Sequence, residues 1–212
     1  MNTATQTLSL AGDAGLIEVL LDRPPESALG GVRGTAVIAH PHPLFGGTMH
    51  NKVVQTLARA FVQCGWQAVR FNFRGVGASA GVYDEGCGEL ADMLAVIGQT
   101  APSDKPLALA GFSFGAFVTS HALVQMWDQR RIDKVVLVGT AASRFQVAPL
   151  PLTAQDATLI LHGEQDDTVP LQSVMDWARP QSLPVTVIPG VEHFFHGQLP
   201  LLKSLVMRHL RA

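Results

Sequence analysis

The chain has little charge and no excess of either sign. Only 15% of its 212 residues are Asp, Glu, Lys or Arg, with 15 basic and 17 acidic side chains and a formal net charge of −2. Typical domains carry about a quarter charged residues. The balance leaves no electrostatic footprint for nucleic acid or for an anionic membrane surface. No run of about 18 apolar residues occurs, so no membrane-spanning helix is expected. Residues 1–10 lack both a basic and an apolar stretch, so no secretory leader is expected either. Cysteine appears twice, at Cys64 and Cys87, which makes neither a disulfide framework nor a CxxC metal pair. Both are expected as free thiols in a cytoplasmic protein. Apolar residues are not scarce. At 47% of the chain they suffice for a buried core and for one domain over residues 1–212.

Hydrophobic periodicity divides the chain into short elements. Residues 7–21 read as two strands around Gly12-Asp13-Ala14-Gly15, and the Pro- and Gly-rich stretch 22–34 reads as a loop. Strands are expected at 35–40, 67–73, 106–112, 134–140, 157–162 and 185–188. Helical spacing appears at Val53, Val54, Leu57, Ala58, Phe61 and Val62, with Gly65 as a stop signal. Leu90, Met93, Leu94 and Ile97 mark a second helix. Others are expected from Phe114 to about Trp127, near 171–179, and from Pro200 onward. Such alternation argues an α/β fold, a mostly parallel sheet of about eight strands with helices on both faces. Ligands bind such sheets at the carboxyl ends of the strands, so the chemistry is sought there.

Three strand ends carry suitable residues. Gly111-Phe112-Ser113-Phe114-Gly115 follows one strand and opens a helix, the setting in which G-x-S-x-G presents a nucleophile. The plain alternative is a helix-start turn without chemistry. His162-Gly163-Glu164-Gln165-Asp166-Asp167-Thr168-Val169-Pro170 follows a second strand. Asp166 is the expected carboxylate and Asp167 the fallback; the plain alternative is an aspartate that caps the next helix, for which Asp167 and Thr168, closer to Pro170, are the better candidates. Gly190-Val191-Glu192-His193-Phe194-Phe195-His196 follows a third. His193, nearer the strand end, is expected as the base, and His196 as a surface residue. The order Ser113, Asp166, His193 is the one this kind of sheet uses. An oxyanion site needs backbone donors. One expected donor is the Phe114 amide. The other belongs to His40-Pro41-His42-Pro43-Leu44-Phe45-Gly46-Gly47, where the prolines have no N–H. His42, Leu44 and Phe45 remain, and Leu44 is favoured.

On these motifs the chain resembles the α/β-hydrolase superfamily, and within it the small lidless bacterial hydrolases of esterase, lipase or thioesterase type. The likeness rests on HPHPLFGGTMHNKVV (40–54), FNFRGVGASAG (71–81), GFSFG (111–115), HGEQDDTVP (162–170) and GVEHFFHG (190–197). It implies the α/β-hydrolase fold without a lid domain, and roles for Ser113, Asp166 and His193 as nucleophile, acid and base. It implies cleavage of carboxylic esters or thioesters of small acyl compounds through an acyl-enzyme. No metal or organic cofactor is implied. Peptidase or amidase chemistry on the same residues, or a scaffold that binds a small ligand without turnover, are the alternatives.

The remaining features read as structural. His40, His42, His50, His162, His193 and His196 lie near strand ends, but their spacing is not that of a metal site. His40 and His162 are expected to hold loops. Arg74 is expected to pair with Asp84, Glu85 or Glu89. Gly75, Gly77 and Gly81 make neither a Walker A loop nor a complete dinucleotide fingerprint. Phe112, Phe114, Phe117, Phe194 and Phe195 cluster around the motifs, with Phe112 and Phe117 expected in the core. Residues 141–156 are too few for a lid, so the site is expected to be open and to favour small or extended acyl groups.

Overall fold

The computed structural model describes residues 5–25 and 31–212, so part of the expected 22–34 loop lies outside the described residues. Its strands are β1 (Thr5–Gly12), β2 (Gly15–Asp22), β3 (Thr35–Ala39), β4 (Gln67–Phe71), β5 (Leu107–Phe112), β6 (Ile132–Val138), β7 (Thr158–Gly163) and β8 (Thr186–Ile188). The helices are α1 (Lys52–Gln63), α2 (Cys87–Thr100), α3 (Phe114–Met126), α4 (Leu171–Ala178) and α5 (Leu199–Arg211). One eight-stranded sheet runs in the order β1-β2-β4-β3-β5-β6-β7-β8. β1 and β2 form a hairpin with Gly12 opposite Gly15. β2 is also antiparallel to β4, and the other neighbours are parallel. This is the α/β-hydrolase arrangement.

The central strands β3 and β5 are buried at every position. That is why they read as continuous apolar runs rather than alternating ones. α1 and α5 cover one face, joining Val54, Leu57 and Phe61 to Leu202, Val206 and Leu210. α2, α3 and α4 cover the other, through Met93, Val96, Phe117, Ala122 and Val174. α1 begins where the Asn51 side chain accepts the Val53 N–H at 2.9 Å. α3 buries nearly all of its first ten residues, so no amphipathic stripe marks it.

Two sequence expectations need correction. β4 stops at Phe71 instead of reaching residue 73, because both following residues anchor a loop. The Asn72 carboxamide accepts the Met49 N–H at 2.9 Å, and the Phe73 N–H donates to His40 Nε2 at 3.0 Å. Arg74 does not pair with Asp84, Glu85 or Glu89. Its guanidinium meets Asp92 at 2.8 Å, and its amide donates to the same carboxylate at 2.9 Å. Glu89 is occupied at the start of α2, accepting the N–H groups of Asp84 and Gly86 at 3.0 and 2.8 Å. Asp92, farther along α2, is the carboxylate that meets the end of β4. Segment 141–156 carries only a 3-10 turn at Leu152–Ala154, and Val147, Leu150 and Ala154 lie against the core. It forms no lid.

Candidate active site

The parallel strands point their carboxyl ends at one rim, and the site assembles there. Between β5 and α3 the chain turns within one residue. Ser113 has φ 56° and ψ −116°, outside the ordinary regions for an L-residue. Such a conformation costs about 1–3 kcal/mol and persists only when its surroundings enforce it. They do so here. The Ser113 N–H donates to the Val138 carbonyl at 2.8 Å, and its carbonyl accepts the Ala116 N–H at 3.0 Å. The flanking glycines are steric requirements. A Cβ on Gly111 would run into the Gly115 carbonyl, and one on Gly115 into the Ala39 carbonyl.

From the loop after β8, His193 enters the rim almost wholly buried, its ring 4.9 Å from that of Phe112. His193 Nε2 lies 3.0 Å from Ser113 Oγ. His193 Nδ1 lies 2.6 Å from Asp166 Oδ2. With Nδ1–H donating to the carboxylate, Nε2 is free to accept the serine hydroxyl. An imidazole so placed can take the hydroxyl proton, and the carboxylate stabilises the imidazolium that results. His196 stays outside this chain of contacts, exposed and 3.1 Å from Glu192.

The loop after β7 holds Asp166 from its other side. Asp166 Oδ1 accepts the N–H groups of Thr168 at 3.0 Å and Val169 at 2.7 Å. Asp167 and Thr168, the better cap candidates in the sequence, do not cap α4. The helix starts after Pro170 with no side-chain cap, because Asp166 has closed the turn from within. His162 Nε2–H donates to the Val169 carbonyl at 2.9 Å and stands 3.5 Å from Asp166 Oδ2. Burial pushes its pKa below the usual histidine value. It is a neutral brace for the loop.

His40 plays the corresponding part after β3. Its Nδ1–H donates to the Pro41 carbonyl at 2.6 Å while Nε2 accepts the Phe73 N–H. Burial lowers its pKa to about 4, so both bonds belong to the neutral ring. The following loop corrects the choice of Leu44 as oxyanion donor. The Leu44 N–H is spent on His42 Nδ1 at 3.2 Å, and its side chain is 67% exposed, away from the site. The Phe45 N–H is spent on the His42 carbonyl at 3.1 Å. Of the three expected candidates only the His42 amide has no acceptor among the described residues. The Phe114 amide, in the first turn of α3, has none there either.

His42, Ser113, Phe114 and His193 line a cleft of about 290 Å³. Phe45, Phe145 and Phe194 complete an aromatic wall, whereas Phe195 is buried in the core beneath. Arg144 and Phe145 escaped the reading of the sequence, since segment 141–156 bears no motif. Their only signal was position, just past β6 on the same rim. Among the described residues no group of three or more His, Cys, Asp or Glu side chains is placed to hold a metal ion. No described helix is long and apolar enough to cross a membrane.

A family model described as Hydrolase_4, serine aminopeptidase S33, matches residues 32–155. The chain belongs to this family of α/β-hydrolases. The matched span includes Ser113 and ends before Asp166 and His193. An α/β serine hydrolase homologue from Coxiella burnetii is 39% identical, covers 99% of each chain and superposes with a TM-score of 0.79. A serine hydrolase without a lid from Xanthomonas campestris is 34% identical, covering 100% of this chain and 95% of that one, with a TM-score of 0.86. An uncharacterized protein of Rickettsia prowazekii is 31% identical over 173 residues, which is 76% of this chain and 71% of that protein.

Proposed function

We propose that this α/β-hydrolase cleaves carboxylic esters or thioesters of small acyl compounds through an acyl-enzyme on Ser113. The observation that carries the reading is the unbroken contact from Ser113 Oγ to His193 and on to Asp166, at 3.0 and 2.6 Å. Ser113 attacks the substrate carbonyl as His193 Nε2 takes its proton. Asp166 keeps the imidazole in the right tautomer and balances its charge. The oxyanion is met by the unengaged amides of Phe114 and His42, one at a helix start and the other in a proline-stiffened loop. His193 then returns the proton to the leaving oxygen or sulfur, and water, activated by the same imidazole, frees the acid. The cleft is small and has no lid over it, which suits short acyl groups. Amide or peptide cleavage on the same groups is the second reading, favoured by the family's description as a serine aminopeptidase.

Parallel assays of 4-nitrophenyl butyrate, a butyryl thioester and alanine 4-nitroanilide test this. Turnover of the ester or thioester, lost in Ser113→Ala, is the expected result. Turnover confined to the anilide favours the second reading. No turnover of any of the three, or turnover unchanged in Ser113→Ala, overturns both.

A further inference from the structure

Resting on that reading of the cleft, the surroundings of Arg144 bear on what the substrate carries. Among the described residues lining the cleft, Arg144 is the one side chain of Asp, Glu, Lys or Arg type. Its guanidinium carbon lies 5.6 Å from the centre of the Phe45 ring. That ring in turn packs 4.7 Å from His42. The turn bearing Arg144 is fixed: the Arg144 and Phe145 N–H groups donate to the Ala141 carbonyl at 3.2 and 3.1 Å, and Phe145 stacks on Phe117 at 4.8 Å. Arg70, Arg74, Arg131 and Arg179 all have carboxylate partners. Arg144 has none among the described residues; Arg23, Arg33, Arg59, Arg130, Arg208 and Arg211 have none either, but of all these only Arg144 lines the cleft. Glu85 shares the adjoining groove with it, but the two form no ion pair. A guanidinium offers five donors in a planar fork that matches a carboxylate. Here that fork stands unpaired beside an apolar cleft that holds the serine. Burial, and after it the nearby Arg144 charge, keeps the His42 imidazole below its usual pKa.

We infer that Arg144 binds a carboxylate carried by the ester substrate, while the apolar part of that substrate lies against Phe45, Phe145 and Phe194. The favoured substrates are therefore anionic esters or thioesters, and the hydrolase selects them over neutral ones of the same size.

The test uses two matched pairs. 4-Nitrophenyl hemiglutarate and 4-nitrophenyl glutaramate differ in charge on the acyl side. 4-(Butyryloxy)benzoate and 4-(butyryloxy)benzamide differ in charge on the leaving-group side. Arg144→Gln is expected to lower kcat/KM for one charged member about tenfold or more, the size of a lost charge-assisted hydrogen bond. Both neutral members should stay within about twofold, and Arg144→Lys should recover part of the loss. The pair that responds tells which end of the substrate the guanidinium holds. Equal losses on charged and neutral esters, or no loss on either, overturn the inference. Failure of the hydrolase reading looks different: no ester is turned over by the unaltered protein. Calorimetric binding of glutarate and benzoate, against glutaramide and benzamide, then still decides, since only a carboxylate-binding Arg144 gives a preference that Arg144→Gln abolishes.

Discussion

Asp166→Asn is a perturbation whose outcome the geometry dictates. The two carboxylate oxygens have different duties. Oδ1 accepts two backbone N–H groups, from Thr168 and Val169, and Oδ2 faces His193 Nδ1 at 2.6 Å. An asparagine in this position must keep its carbonyl oxygen on the two amides, because the reverse orientation sets its NH2 against two donors. The NH2 group is thereby directed at His193 Nδ1. A donor there forces the imidazole to carry its proton on Nε2, the atom that has to accept the Ser113 hydroxyl. Loss of the correct tautomer is worth about 10⁴-fold in kcat, or about 5 kcal/mol of transition-state stabilisation. The cost to folding is smaller, about 1–3 kcal/mol for an impaired hydrogen bond to a buried group, since the loop retains both backbone bonds. The assay is kcat on 4-nitrophenyl butyrate, alongside thermal unfolding followed by circular dichroism. A folded Asp166→Asn protein that keeps more than about a tenth of the original kcat would refute the reasoning.

Three other outcomes follow from the same structure. His42→Pro deletes the proposed second oxyanion amide at a residue whose φ of −53° suits proline, so kcat should fall about 10²–10³-fold, whereas His42→Ala keeps the amide and should fall far less; equal losses contradict the assignment. The His40 ring titrates at about 4 in the folded chain against 6.5 ordinarily, so acid favours the unfolded state. Its contribution is intact above pH 6.5, declines down to about pH 4 and then levels off, a loss of about 3 kcal/mol that urea unfolding at a series of pH values should show and His40→Gln should remove. Arg144→Gln should separate charged from neutral esters in the manner set out above, with steady-state kinetics on the two matched pairs as the check.

The fold was readable where burial is simple. β3 and β5 are buried on both sides and stand out as apolar runs, and Gly111 and Gly115 are dictated by contacts so close that no other residue fits. Those features located the rim and the three segments that meet on it. What escaped depends on the phase of a helix or on competition inside a loop. Arg74 meets Asp92 instead of Glu89 because Glu89 is consumed at the helix start. The Leu44 amide is consumed by a ring two residues earlier in its own loop, a short-range bond that no spacing announces. Asp167 and Thr168 look like caps in sequence, yet Asp166 satisfies the turn that they would have served. Arg144 and Phe145 reach the cleft only because the stretch after β6 folds back onto the same rim, which depends on tertiary packing.

The account depends most on Ser113 being an activated nucleophile. Exposure of the protein to a fluorophosphonate, followed by intact-mass measurement and peptide mapping, tests this directly. One adduct per chain, carried by the peptide holding Ser113, absent from Ser113→Ala and slowed in Asp166→Asn, is the predicted result. An unlabelled protein, or an adduct on any other residue, contradicts it.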